Sequence, residues 1–122
     1  MLERISAVTL ATTDMAKAMA FYTALGFEIA HGNAGFTSFR IGDGYLNLAL
    51  RDGYVAGPTW GRVIFYVADV DRVYETALEA GLEPDTQPRD AEWQERYFHI
   101  LDPDGHELSF ARPLATRGQG DK

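Results

Sequence analysis

Cysteine is missing from all 122 residues. Disulfides and thiolate metal sites are therefore excluded, and the redox compartment is left open. Also missing is any apolar run near the roughly 20 residues that a membrane-spanning helix needs. The opening residues, MLERISAVTL, put an acid and a base ahead of a short apolar stretch and offer no small-residue cleavage site, so they do not read as a signal peptide. The expected compartment is the cytoplasm. Positive charge is scarce: 11 Lys and Arg face 18 Asp and Glu, giving a net charge of -7 and a pI near 4.8. Such a field repels a phosphate backbone, and the basic residues form no cluster, so nucleic acid is not an expected partner. What remains is an ordinary globular composition, 46% hydrophobic and 24% charged, in a length that suits one domain.

What the sequence does have is a repeat. Residues 7–28, AVTLATTDMAKAMAFYTALGFE, align without a gap to residues 62–83, RVIFYVADVDRVYETALEAGLE. Asp14 matches Asp69, Gly26 matches Gly81, and Val8, Leu10 and Glu28 match Val63, Phe65 and Glu83, all at an offset of 55. Each copy predicts an alternating strand (6–12 and 62–67), an Asp at a helix N-cap, a helix (15–24 and 71–80) and a glycine at the position after the helix where left-handed backbone is cheapest. Two hairpins follow the helices, one turning at Gly42-Asp43-Gly44 and one at Pro103-Asp104-Gly105. The expected fold is α+β, a βαβββ module repeated in tandem, with curved mixed sheets forming a cleft. Module one covers about 4–50 and module two about 62–112, joined by a Gly- and Pro-rich linker at 51–61. A single domain of 1–112 then ends in a polar, flexible tail of 113–122.

Side chains alternate along strands, so the faces can be assigned. A three-residue Pro-Asp-Gly loop pairs Leu101 with Glu107, His99 with Ser109 and Tyr97 with Ala111. Phe98, Ile100, Leu108 and Phe110 then form one apolar face, for the helices to cover. The opposite, mixed faces line a pocket, which receives Ala7, Asn47, Arg62, His99, Glu107 and Ser109. Tyr45, Tyr66, Tyr97 and Trp93 are expected as stacking walls, and Phe21, Tyr22 and Tyr74 as core. His31 and His106 are expected at the surface. Arg62 is expected to pair with Glu107 and to anchor an anionic or carbonyl-bearing ligand.

The paired modules, the stretch D-M-x-x-A-x-x-F-Y-x-x-L-G-F at 14–27 and the motif D-P-D-G-H-E-L at 102–108 resemble the vicinal oxygen chelate superfamily, which holds glyoxalase I, bleomycin and fosfomycin resistance proteins and extradiol dioxygenases. The resemblance covers about residues 4–112. It implies, for metal-using members, a divalent ion held by His, Gln or Glu near the start of each module's first strand and by an acid on each module's last strand. Carried over, those positions fall on Ala7, Arg62, near Asn47, and on Ser109. None is a ligand of the required kind, and Arg62 carries a permanent positive charge. No metal cofactor is therefore expected, with Ni, Mn, Fe or Zn held by Glu107 and His99 as the alternative. The function the resemblance implies is bleomycin-resistance-like, metal-independent binding of a small organic ligand by Arg62, Tyr66, Tyr97, His99, Glu107, Ser109 and Asn47. The alternatives are a metal-dependent lyase, isomerase or dioxygenase, a metal-free enzyme using Glu107 or His99 as base, and a structural protein with a vestigial cleft. A homodimer is implied as well, with Trp60 and Trp93 as candidate contacts.

Overall fold

The computed structural model describes residues 1–58 and 60–115. In chain order the elements are β1 (Ala7–Thr12), α1 (Met15–Ala24), β2 (Glu28–Gly32), β3 (Phe36–Ile41), β4 (Gly44–Leu50), β5 (Arg62–Tyr66), α2 (Val70–Glu79), β6 (Arg89–Asp90), β7 (Glu95–Leu101) and β8 (Glu107–Pro113). The α+β tandem is present as expected. The chain divides into two compact units, Met1–Trp60 with Asp102–His106, and Gly61–Leu101 with Glu107 onward. Neither helix is long and apolar enough to cross a membrane.

The repeat is visible in the backbone angles. Asp14 (φ -148°) and Asp69 (φ -146°) both stand in extended conformation before their helices. Each carboxylate accepts from the N–H three residues on, Lys17 at 3.0 Å and Arg72 at 3.1 Å, filling one of the first turn's free donors. Both helices end in the same way. Phe27 N–H donates to the Tyr22 carbonyl and Gly26 N–H to that of Thr23, while Leu82 and Gly81 repeat the pattern onto Ala77 and Leu78. This closure needs left-handed backbone at the glycine, and Gly26 and Gly81 have φ of 94° and 81°.

In the first unit the sheet order is β1-β4-β3-β2, with β1 parallel to β4 and the rest antiparallel. Leu10, Phe39, Leu46 and Leu48 are buried on one face, together with Phe21 and Tyr22 of α1. The Tyr22 and Phe39 rings lie 5.5 Å apart. The second unit repeats this as β5-β8-β7-β6. Phe98, Ile100, Leu108 and Phe110 are almost wholly buried there, Phe98 stacks on Phe110 at 5.4 Å, and Tyr74 of α2 meets Phe98 edge-on. Each such side chain contributes on the order of 1.5–3 kcal/mol by leaving water.

Four local expectations are corrected. The first hairpin turns on Gly42-Asp43 alone; Gly44 already pairs with Ile41 and begins β4. It is a glycine because a Cβ there would lie 2.7 Å from the Ser6 carbonyl oxygen, whose partner is the Tyr45 N–H. Helix α2 begins at Val70, directly after its cap, one residue before the expected start. Strand β8 continues through Pro113, so the tail starts later than 113, and residues 116–122 lie outside the described part. His106, expected at the surface, is 3% exposed. The reason is that both its ring nitrogens are engaged: Nδ1 accepts from the Trp60 indole N–H at 3.0 Å, and Nε2 lies 2.8 Å from the Ala11 carbonyl. An indole can only donate and a carbonyl can only accept, so Nδ1 is the accepting nitrogen and Nε2 the donating one. His31 is exposed, as expected.

Candidate functional site

The mixed face of the second sheet reads as three rows across β5, β8 and β7: Arg62–Glu107–Leu101, Ile64–Ser109–His99 and Tyr66–Ala111–Tyr97, with Arg89 of β6 extending the last. The cross-strand pairs are those that the three-residue loop predicts. In the first row the Arg62 guanidinium meets Glu107 at 2.7 Å, parallel pairing having set them side by side. His99 lies next to them, its Nδ1 4.0 Å from Glu107 Oε2, buried and without a hydrogen-bond partner. Burial, and then the Arg62 charge, lower the His99 pKa below the ordinary value, so the ring is neutral near pH 7.

The other end of this face is aromatic. The Trp93 and Tyr97 rings lie 5.4 Å apart and Tyr97 and His99 4.9 Å apart, a run of tilted ring contacts that leads from Trp93 onto β7. Arg89 donates from Nε to the Tyr97 hydroxyl at 2.8 Å and lies over its ring. Glu95 accepts from both the Tyr66 hydroxyl and the Trp93 indole, and its hydrogen bond raises the Tyr66 pKa. Trp93, at 60% exposed, and Tyr66, at 63%, offer their rings to solvent. Tyr97 and Ser109 are buried beneath, so they form the floor and leave contact to their neighbours.

The first unit carries its own mixed face: Ala7–Tyr45–Arg40, Thr9–Asn47–Ser38 and Ala11–Ala49–Phe36 across β1, β4 and β3. Ser38 donates to Asn47 Oδ1 at 2.7 Å, and the Asn47 amide donates to Thr9 Oγ1 at 3.2 Å. Arg40 lies over Tyr45. Six of the seven expected ligand residues (Arg62, Tyr66, Tyr97, His99, Glu107 and Ser109) thus share the second unit's face, while Asn47 belongs to the first unit's ladder. Tyr45 likewise belongs to the first unit's face, whereas Tyr66, Tyr97 and Trp93 belong to the second unit.

Glu95 and Ser38 escaped the sequence reading although strand parity reaches them: Glu95, two residues before Tyr97, shares its face. Arg89 sits on a two-residue strand too short to show any pattern. The same holds for the turn motif. Asp102, 5% exposed, accepts from the Tyr22 hydroxyl at 2.6 Å and from the N–H groups of Asp104 and His106 at 2.9 Å each. Burial raises its pKa.

A divalent cation does not suit this donor set. Among the described residues no three His, Asp or Glu side chains gather as ligands. At the positions the metal-using pattern occupies stand a methyl at Ala7 and a guanidinium at Arg62, the latter already holding the nearest carboxylate. A fixed positive charge within ion-pair distance of Glu107 opposes a second cation there.

The family model for the Glyoxalase/Bleomycin resistance protein/Dioxygenase superfamily matches residues 4–110. A bleomycin resistance protein of Geobacillus stearothermophilus is 28% identical, over 84% of this chain and 92% of its own. Among solved structures, a bleomycin-binding protein complexed with bleomycin superposes with a TM-score of 0.75 at 24% identity, covering 91% of this chain and 98% of that one. A bleomycin resistance determinant encoded on the transposon Tn5 gives a TM-score of 0.78 at 22% identity, covering 93% of this chain and all of its own. At these identities the structures establish the fold.

Proposed function

The chain belongs to the glyoxalase/bleomycin resistance protein/dioxygenase superfamily, and from that premise we propose that it binds a small, planar aromatic ligand on the mixed face of its second sheet, without a metal ion. The observation that carries this reading is the run of tilted ring contacts from Trp93 through Tyr97 to His99, ending beside the Arg62–Glu107 pair. A flat ring finds area and a π-face on Trp93 and Tyr66, while the Arg62–Glu107 pair offers donors and acceptors to its polar edge. That the relatives include a bleomycin resistance protein, and a bleomycin-binding protein solved with bleomycin, supports a drug of that kind as the first ligand to try.

Calorimetric titration of the protein with metal-free bleomycin in EDTA is the test. Saturable binding that weakens about tenfold in Trp93→Ala, in line with the worth of a lost aromatic contact, is the expected result. Binding that appears only after a stoichiometric divalent ion is added, and vanishes in Glu107→Ala, would overturn the metal-free reading. The protein is further proposed to be a homodimer, on the support of β5: this edge strand exposes Ile64 and Tyr66, at 55% and 63%. Light scattering checks that, with twice the 13.5 kDa chain mass expected.

One observation favours a second reading, a metal-free enzyme. The neutral His99 ring and the Glu107 carboxylate stand 4.0 Å apart on one face, two groups of the kind that can pass a proton between them. Deuterium wash-in beside the carbonyl of a bound oxo-acid, lost in His99→Gln, would establish it over simple binding.

A further inference from the structure

We propose that the first unit holds a separate ligand site, at the open edge of β1, which takes a small aromatic molecule bearing an uncharged carbonyl oxygen. Strand β1 pairs with β4 and, among the described residues, with no other strand. The Ser6 and Thr12 carbonyls point toward β4, accepting from Tyr45 and Arg51. Alternation then turns the main chain of Thr9 and Ala11 toward the open side, where the Ala11 carbonyl indeed meets His106. Along that edge lies a cavity of about 440 Å³, lined by residues 8–11 of β1 with Tyr54, Pro58, Trp60 and His106. That volume falls in the range of small-molecule sites, about 300–1,000 Å³.

Its walls and its polar atoms define the occupant. The Tyr54 ring is tilted 31° from the His106 imidazole at 5.3 Å, and the Trp60 ring stands edge-on to it at 5.9 Å, so aromatic surface borders the space. His106 has both nitrogens spoken for and contributes shape rather than charge. The free polar atom comes from the ladder behind β1. Ser38, 4% exposed, donates to Asn47 and so fixes which way the amide faces. The amide N–H then donates to Thr9, whose oxygen is thereby an acceptor. The Thr9 hydroxyl proton has no protein acceptor among the described residues, and Thr9 lines the cavity. A directed donor at an aromatic-walled cavity asks for an acceptor on the ligand. No Lys or Arg lines the space, so a ketone or carboxamide suits it better than a carboxylate.

The site is independent of the second unit's face, so it can be tested whether or not bleomycin binds. In proton–nitrogen NMR spectra of the full chain, acetophenone and benzamide are expected to move the Trp60 indole and Asn47 amide signals saturably. Benzoate should bind more weakly, and ethylbenzene, which has no acceptor, about tenfold more weakly. Thr9→Val should cost acetophenone about tenfold in affinity. Thr9→Ser should keep it, and Tyr97→Ala, on the other unit, should leave it unchanged. Equal binding of acetophenone by wild type and Thr9→Val, equal binding of ethylbenzene, or no response to any probe would overturn the assignment. So would Trp60 shifts that follow protein concentration instead of probe, because a second copy would then occupy the edge.

Discussion

Laid over one another, the two mixed faces share a lattice and differ in what hangs on it. The corner that is Ala7 beside Tyr45 in the first unit is Arg62 beside Glu107 in the second. The centre that is Thr9–Asn47–Ser38, a neutral ladder of directed hydrogen bonds, becomes Ile64–Ser109–His99, which has no such chain. Backbone geometry has been kept through both copies, down to matching caps and helix ends. Chemistry has been rewritten position by position. The lesson is that the fold supplies equivalent sockets, and recognition follows from side chains that strand register places there.

The largest expected break in the likeness comes from a contact only the first unit has. Tyr22 donates to the buried Asp102, whereas the position 55 residues after Tyr22 is Ala77. Asp102→Ala strands one hydroxyl and two backbone N–H groups, and should cost about 3 kcal/mol in urea unfolding. Tyr22→Phe should cost less, about 1–2 kcal/mol, because a single donor goes. Next in size are the features the units share. Asp14→Ala and Asp69→Ala should each cost about 1 kcal/mol, and a clear inequality between them would show that the caps are equivalent in geometry only. Smaller still is the Arg62–Glu107 pair. With Arg62 45% exposed, Arg62→Ala should lower stability by less than about 1 kcal/mol. Its effect on bleomycin affinity, measured by the same titration, should be the larger of the two if the pair faces ligand.

The smallest effect is one of pH and belongs to the second unit alone. The folded state lowers the His99 pKa, so between that value and the ordinary one the unfolded chain binds more protons. The contribution of neutral His99 is therefore complete above about pH 6.5 and is lost as pH falls below it. Melting temperatures compared from pH 7.5 down to 5 should show wild type losing stability relative to His99→Gln on acidification.

Most of the architecture was legible because the repeat appears twice in one chain. A single Asp-to-Gly spacing is weak evidence for a helix, but the same spacing at Asp14–Gly26 and Asp69–Gly81 is strong. Parity likewise placed Phe98, Ile100, Leu108 and Phe110 in the core and set Arg62 against Glu107. It failed where a side chain's fate depends on residues far away in sequence. Nothing local to His106 announces Trp60 and Ala11 as partners, and nothing near Asp102 announces Tyr22. The two-residue β6 gave Arg89 no periodicity by which to be found. Such contacts follow from tertiary packing, which alternation along one strand does not encode.

The double hold on His106 has a consequence for the linker. One imidazole holds the indole of residue 60 through Nδ1 and strand β1 through Nε2, so the end of the linker is tied to the first sheet by a single side chain. With Trp93 replaced by Phe, emission from the remaining tryptophan becomes a built-in gauge of whether that tie is made.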